Sequence, residues 1–131
     1  MLVVESDHPL AREPEVRMAA LAEHALVDLH VQGSPTGEVI DAAARAAGLT
    51  LTYTAGADDH HGVLAMVAAG MGSTVLPHLA IRDLPAGLVA RPLLDPTPVR
   101  RIALHTRQTM AQLPHVAFLR RELGRIARTE D

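Results

Sequence analysis

The chain has 131 residues, 48% of them apolar but 2% aromatic, and a formal net charge of −3. That length suits one domain, or a large piece of one, built on an aliphatic core, and the acidic balance lacks the basic face of a self-sufficient nucleic-acid binder. With no cysteine and no lysine, disulfides, thiolate metal sites, cysteine nucleophiles, Schiff bases and the phosphate-loop lysine are all excluded.

Leu2, Val3 and Val4 read as a short strand stopped by Asp7-His8-Pro9. Residues 15–23 suit a short helix carrying Val16, Ala19, Ala20 and Ala22, and Ala25 to Leu29 a second strand. Ser34-Pro35 has the form of an N-cap followed by proline at the first helical position. The helix it opens carries Val39, Ile40, Ala43, Ala44 and Ala47 on one face, with Asp41 and Arg45 four apart outside. Gly48 is placed to close it in a left-handed conformation. Leu49 to Thr54 alternates as a third strand. Asp58 or Asp59 then caps a helix whose apolar face is Val63, Leu64, Val67, Ala68 and Met71. Gly70 and Gly72 end it, and Thr74 to Leu76 is a fourth strand. A turn at Asp83 to Gly87 leads to an apolar strand over Leu88 to Leu93, and Pro92 to Pro98 is a bend. Arg101 to His105 is expected as the last strand, and a helix from about Pro114 to Ala127 presents Val116, Leu119, Leu123 and Ile126 on one side. Helix–glycine–strand units in tandem describe an open α/β sheet.

The loop Gln32 to Thr36 stands between a strand end and a helix N-terminus. Free backbone N–H groups and the positive dipole end attract anions there, and ligands of open α/β sheets gather at strand carboxyl ends. Ser34 and Thr36 add hydroxyl donors, although capping alone accounts for Ser34-Pro35. Gly70-Met71-Gly72 follows a helix instead of preceding one, the reverse of a dinucleotide-binding loop. The eight histidines show no metal-ligand spacing, and adjacent His60 and His61 diverge on any helix. Ser6, Ser34 and Ser73 are the only serines and none sits in a nucleophile elbow. No metal site, cofactor or catalytic constellation is expected.

The wording of these segments resembles a known family. LVVESDHPLA, LAEHALV, GSPTGEVIDAAARAAGLTLTYTAGADD, VLAMVAAGMGSTVLPHLAI and LVARPLLDPTPVRRIALHTR follow, in order and spacing, the second half of the effector-binding domain of LysR-type transcriptional regulators. The C-terminal helix matches loosely. The resemblance implies an α/β, type 2 periplasmic-binding-protein-like (Rossmann-like) effector-binding subdomain, with a mixed, mostly parallel sheet flanked by helices. Residues 1–131 would be a partial effector-binding domain: a second subdomain over about 7–98, and crossover strands and a C-terminal helix of the first over about 1–6 and 99–131.

The resemblance also implies function. Effector contacts are expected from Gly33, Ser34, Pro35 and Thr36, and from His105, at the end of the strand that returns along the pocket wall. The ligand would be a small molecule, often a carboxylate, sensed by a non-enzymatic, cofactor-free regulatory module. DNA would be reached only through an N-terminal domain expected ahead of Met1. The chain would self-associate as a dimer or larger species through the stripe Val116, Leu119, Leu123 and Ile126. No apolar run approaches membrane-spanning length, so a cytoplasmic location is expected. The alternatives are a solute-binding or enzyme domain on the same fold, or an oligomerisation module with no ligand.

Overall fold

In the computed structural model, residues 1–29 and 35–128 are described. Along them run β1 (Leu2–Glu5), β2 (Val16–Arg17), β3 (Leu26–Leu29), α1 (Pro35–Ala46), β4 (Tyr53–Ala57), α2 (His60–Ala68), β5 (Thr74–Val75), β6 (Leu88–Arg91), β7 (Leu93–Leu94) and α3 (Pro114–Ala127). The chain divides into two compact units, Met1–Arg100 and Arg101–Asp131.

In the first unit the N-terminal apolar run is a central strand. β1 pairs antiparallel with β5 on one side and with β6 on the other. β3 pairs parallel with β4. It also meets the chain entering β5 through a parallel bridge from Leu26 to Ser73, with Val27 N–H donating to Ser73 O at 2.7 Å and Ser73 N–H to Ala25 O at 2.9 Å. The spatial order is therefore β4-β3-β5-β1-β6, with β1 the antiparallel member. Gly72 permits the β3–β5 approach: its φ is +142°, and a Cβ there would stand 2.6 Å from the Ala25 carbonyl oxygen.

Strand alternation sends successive residues of β1 and β3 into two cores. Leu2, Val4 and Leu26 pack with Ile40 and Ala44 of α1 and with Met18 and Leu21. Val3 and Val27 pack with Val63, Leu64 and Val67 of α2 and with Leu76 and Leu88. Helices thus cover both faces, as a largely parallel sheet requires. Each large apolar side chain fully buried this way is worth about 1.5–3 kcal/mol. α1 closes on Gly48 at φ +72°, with Leu49 N–H donating back to Ala44 O at 2.9 Å. Asp59 caps α2 by accepting from Gly62 N–H at 2.9 Å.

Three sequence expectations are corrected. Residues 15–23 are not one helix. Val16 and Arg17 pair with β7, and Met18–Glu23 is a 3-10 helix. Three residues per turn put Met18 and Leu21 on one buried side, so tertiary packing overrides the alanine helix propensity. The third strand starts at Tyr53, not Leu49, because Leu49 is tied into the α1 cap; it runs on through the small residues Ala55, Gly56 and Ala57. The face of α1 is also narrower than its periodicity suggests, with Ala47 exposed.

In the second unit Arg101 to His105 form no strand, and Ile102 and Leu104 are 72% and 56% exposed. Alternation alone does not make a strand, and among the described residues these pair with none. α3 spans the expected Pro114–Ala127, with Leu119, Leu123 and Ile126 all about half exposed. Among the described residues no helix is long and apolar enough to cross a membrane.

Candidate functional site

β3 ends at Leu29 and α1 begins at Pro35, so the C-terminal end of a sheet strand faces the N-terminal end of a helix. Thr36, in the first turn of α1, is buried, and its Oγ1 accepts a hydrogen bond from Arg100 Nη1 at 3.0 Å. The hydroxyl hydrogen stays available for donation, since a hydroxyl both accepts and donates. A guanidinium and the helix N-terminus therefore supply positive potential at the same turn.

Asp28 brings the opposite charge. Its Oδ1 lies 3.9 Å from where a Cβ on Gly37 would stand, which sets the carboxylate beside the same helical turn. Asp28, Thr36, Gly37, Tyr53 and Thr74 line a narrow cleft between α1 and the sheet, with room of about 10 Å³. Tyr53 Oη donates to Asp41 Oδ1 at 2.9 Å. Burial, that hydrogen bond, and the charges of Asp41 and Asp28 hold the phenol protonated well above its ordinary range. Asp41, expected to pair along the helix with Arg45, takes the tyrosine hydroxyl instead.

Of the residues expected in the site, Gly33 and Ser34 lie outside the described residues. Pro35 is the first residue of α1, and Thr36 lines the cleft. His105 is exposed in the second unit and does not end a strand. His61 is fully exposed beside Asp59, and among the described residues no group of three histidine or acidic side chains is arranged for a metal. Arg100, Asp28 and Tyr53 were not anticipated. Asp28 carried a signal, a charge inside the apolar strand Leu-Val-Asp-Leu. Arg100 carried none, because its partner is 64 residues away.

A largely parallel sheet with one antiparallel strand, helices on both faces and a cleft at a strand end defines an α/β ligand-binding domain of the type 2 periplasmic-binding-protein kind. The chain belongs to the LysR substrate binding domain family, whose model matches residues 1–127.

Solved structures agree. The chain is similar to the C-terminal domain of a probable LysR family transcriptional regulator from Rhodococcus sp. RHA1, at 30% identity and a TM-score of 0.62, over 76% of this chain and 49% of that one. It is similar in fold to the CcmR regulatory domain of Synechocystis PCC6803 in complex with 2-PG, at 20% identity and a TM-score of 0.65, over 74% and 47% of the two chains. The effector binding domain of QuiR in complex with shikimate is a third likeness in fold, at 17% identity and a TM-score of 0.54, over 58% and 36%. The chain spans about half or less of each of these proteins. No curated protein matches it.

Proposed function

We propose that this chain is part of the small-molecule-sensing domain of a LysR-type transcription regulator, and that its effector is a small carboxylate held at the N-terminus of α1. The observation that carries this reading is the Arg100–Thr36 pair, a guanidinium 3.0 Å from a buried hydroxyl in the first helical turn. Both groups favour an anion, and both sit where strand ends and helix starts meet. The family resemblance adds Gly33, Ser34, Pro35 and His105 as candidate effector contacts. Two relatives in fold are complexes with 2-PG and shikimate, a precedent for small ligands in this architecture.

The domain acts by binding, without cofactor or catalysis, in the cytoplasm. Ser73, the serine closest in sequence to the glycine pair, is buried and tied through its backbone between β3 and β5, which suits structure and not nucleophilic chemistry. An effector with different affinity for two arrangements of the regulator shifts their populations. The domain division stays as the sequence suggests: a second subdomain over about 7–98, with 1–6 and 99–131 belonging to the crossover and the first. Self-association uses the exposed α3 stripe, and DNA is contacted by a different part of the regulator.

The test is a calorimetric titration with a panel of small carboxylates, repeated with Ser34 and Thr36 both replaced by alanine. The pair of substitutions is expected to weaken binding by about 1–3 kcal/mol, the scale of hydrogen bonds to a charged group. Unchanged affinity in the double variant, or no binding of any carboxylate to folded protein, overturns the reading.

A further inference from the structure

β1 leaves the sheet through a turn that is held by one imidazole. After Glu5 the chain folds back, with His8 N–H donating to Glu5 O at 3.1 Å, and then makes the single 3-10 turn Pro9–Arg12. Proline has no N–H to offer at the start of that turn. His8 supplies the cap for the next residue: its Nδ1 accepts from Leu10 N–H at 3.1 Å. Further along, Arg91 of β6 donates through Nε and Nη2 to Ala11 O. The turn seats Leu10 and the buried Ala11 against the core that contains Met18 and Leu21. The His8 ring also meets His24, the residue that ends the Met18–Glu23 helix, edge to face with ring centroids 5.0 Å apart.

This arrangement admits one protonation state of His8. A ring nitrogen that accepts a hydrogen bond presents a lone pair, so the ring is neutral and its proton sits on Nε2. A second proton would put an N–H on Nδ1 against Leu10 N–H, donor facing donor, and the cap is lost. The surroundings divide over that proton. Partial burial opposes it most and His24 next, while Glu5 and Asp7 favour it; the balance holds His8 below its ordinary 6.5. The guanidinium of Arg91, the charged group that β6 brings here, is engaged by the carbonyl oxygens of Ala11 and Ala90. Arg12, Glu13 and Glu23, at the ends of the two 3-10 segments, are exposed.

We propose that His8 is a proton-operated latch: neutral, it ties the exit of β1 to the Pro9–Arg12 turn, and protonated, it releases that turn while the sheet stays folded. β1 remains bonded to β5 and β6 through backbone groups that do not titrate. The closed turn excludes the proton, so its stabilisation is whole above pH 6.5 and declines as pH falls below that value. From there down to the folded value, the ratio of open to closed turn grows by up to about tenfold per pH unit. Opening uncovers Leu10 and Ala11 at the edge of the core.

The test is an NMR titration of the 131-residue chain from about pH 7.5 to about pH 4.5, across the histidine range. Two probes are followed in one sample, the His8 ring nitrogens and the Leu10 amide. His8 is expected to titrate below 6.5, and the Leu10 amide to move with the same midpoint, while the amides of β1, β5 and β6 hold their positions. His8→Asn provides a side-chain oxygen that caps without titrating, and in it the Leu10 amide is expected to stay in place throughout. His24→Gln removes an opposing charge and is expected to move the His8 midpoint up towards 6.5. A His8 ring that titrates while the Leu10 amide stays still overturns the latch, as does a Leu10 transition that persists in His8→Asn. Loss of the β1 amides at the same midpoint is global unfolding and overturns it too. An unchanged midpoint in His24→Gln overturns the part given to His24. Should His8→Asn fail to melt cooperatively, the two probes in the unmodified chain decide.

Discussion

Replacing Gly72 with alanine tests the closest approach in the sheet. Two costs add. The first is conformational: φ is +142°, where an L side chain is strained, and the penalty is about 1–2 kcal/mol. The second is steric. The new Cβ would stand 2.6 Å from the Ala25 carbonyl oxygen and 3.0 Å from its carbon, backbone atoms that cannot rotate away. Relief needs a shift of roughly 0.5–1 Å, taken at the place where Ser73 N–H donates to that same oxygen at 2.9 Å. Weakening this bond adds about 1–2 kcal/mol. The sum is about 2–4 kcal/mol, or a fall in Tm on the order of 10 °C at this chain length. Gly48→Ala is the control, because φ is +72° there and nothing lies within 4 Å of a Cβ; it bears the first cost alone. Gly70→Ala behaves like the control, its nearest neighbour being the flexible Glu5 carboxylate at 3.5 Å. Urea and thermal melts of the three variants decide the matter. If Gly72→Ala melts together with Gly48→Ala, the β3–β5 contact is not as close as described.

Tyr53→Phe removes the hydrogen bond to Asp41 and is expected to cost about 1 kcal/mol at neutral pH. The folded phenol titrates above its unfolded value of 10.0, so this stabilisation is present below pH 10 and lost as pH rises through the folded value; an alkaline limb of the melting curve that persists in the variant refutes the assignment. Asp59→Ala removes the α2 cap and should lower the urea midpoint at pH 7. The Gly62 N–H bond holds the Asp59 carboxyl below its ordinary 3.8, so the difference from wild type is present above that value and fades as pH falls through the depressed one; a difference independent of pH rejects the cap. Light scattering at tens of micromolar should report a dimer or larger species, driven by the exposed Leu119, Leu123 and Ile126. A monomer that keeps α3 protected from hydrogen exchange rules that surface out.

Signals confined to a few neighbouring residues were readable from the sequence. The α2 cap, at one of the two candidates Asp58 and Asp59, the left-handed Gly48 and both ends of α3 fall where capping residues and 3.6-residue periodicity put them. Features set by distant neighbours were not. Leu2 to Val4 announce a strand, but nothing in three apolar residues says that it lies between β5 and β6 and runs against them. The Met18 segment is rich in helix formers, yet the packing of Met18 and Leu21 into a core shared with distant strands goes with a 3-10 helix. Arg101 to His105 failed in the opposite sense: the alternation is present, and a strand still needs a neighbour to bond to.

The site divides along the same line, for a reason that bears on its chemistry. Thr36 was visible because a helix start after a strand is a local pattern with a known electrostatic consequence. Arg100 was not, because a charged residue after a proline-rich bend has a sufficient local explanation; the charge of Asp28 inside an apolar strand was a signal, but it did not say which helix it would meet. Only the fold brings Arg100 to the buried Thr36 hydroxyl and Asp28 beside Gly37, in the first turn of α1.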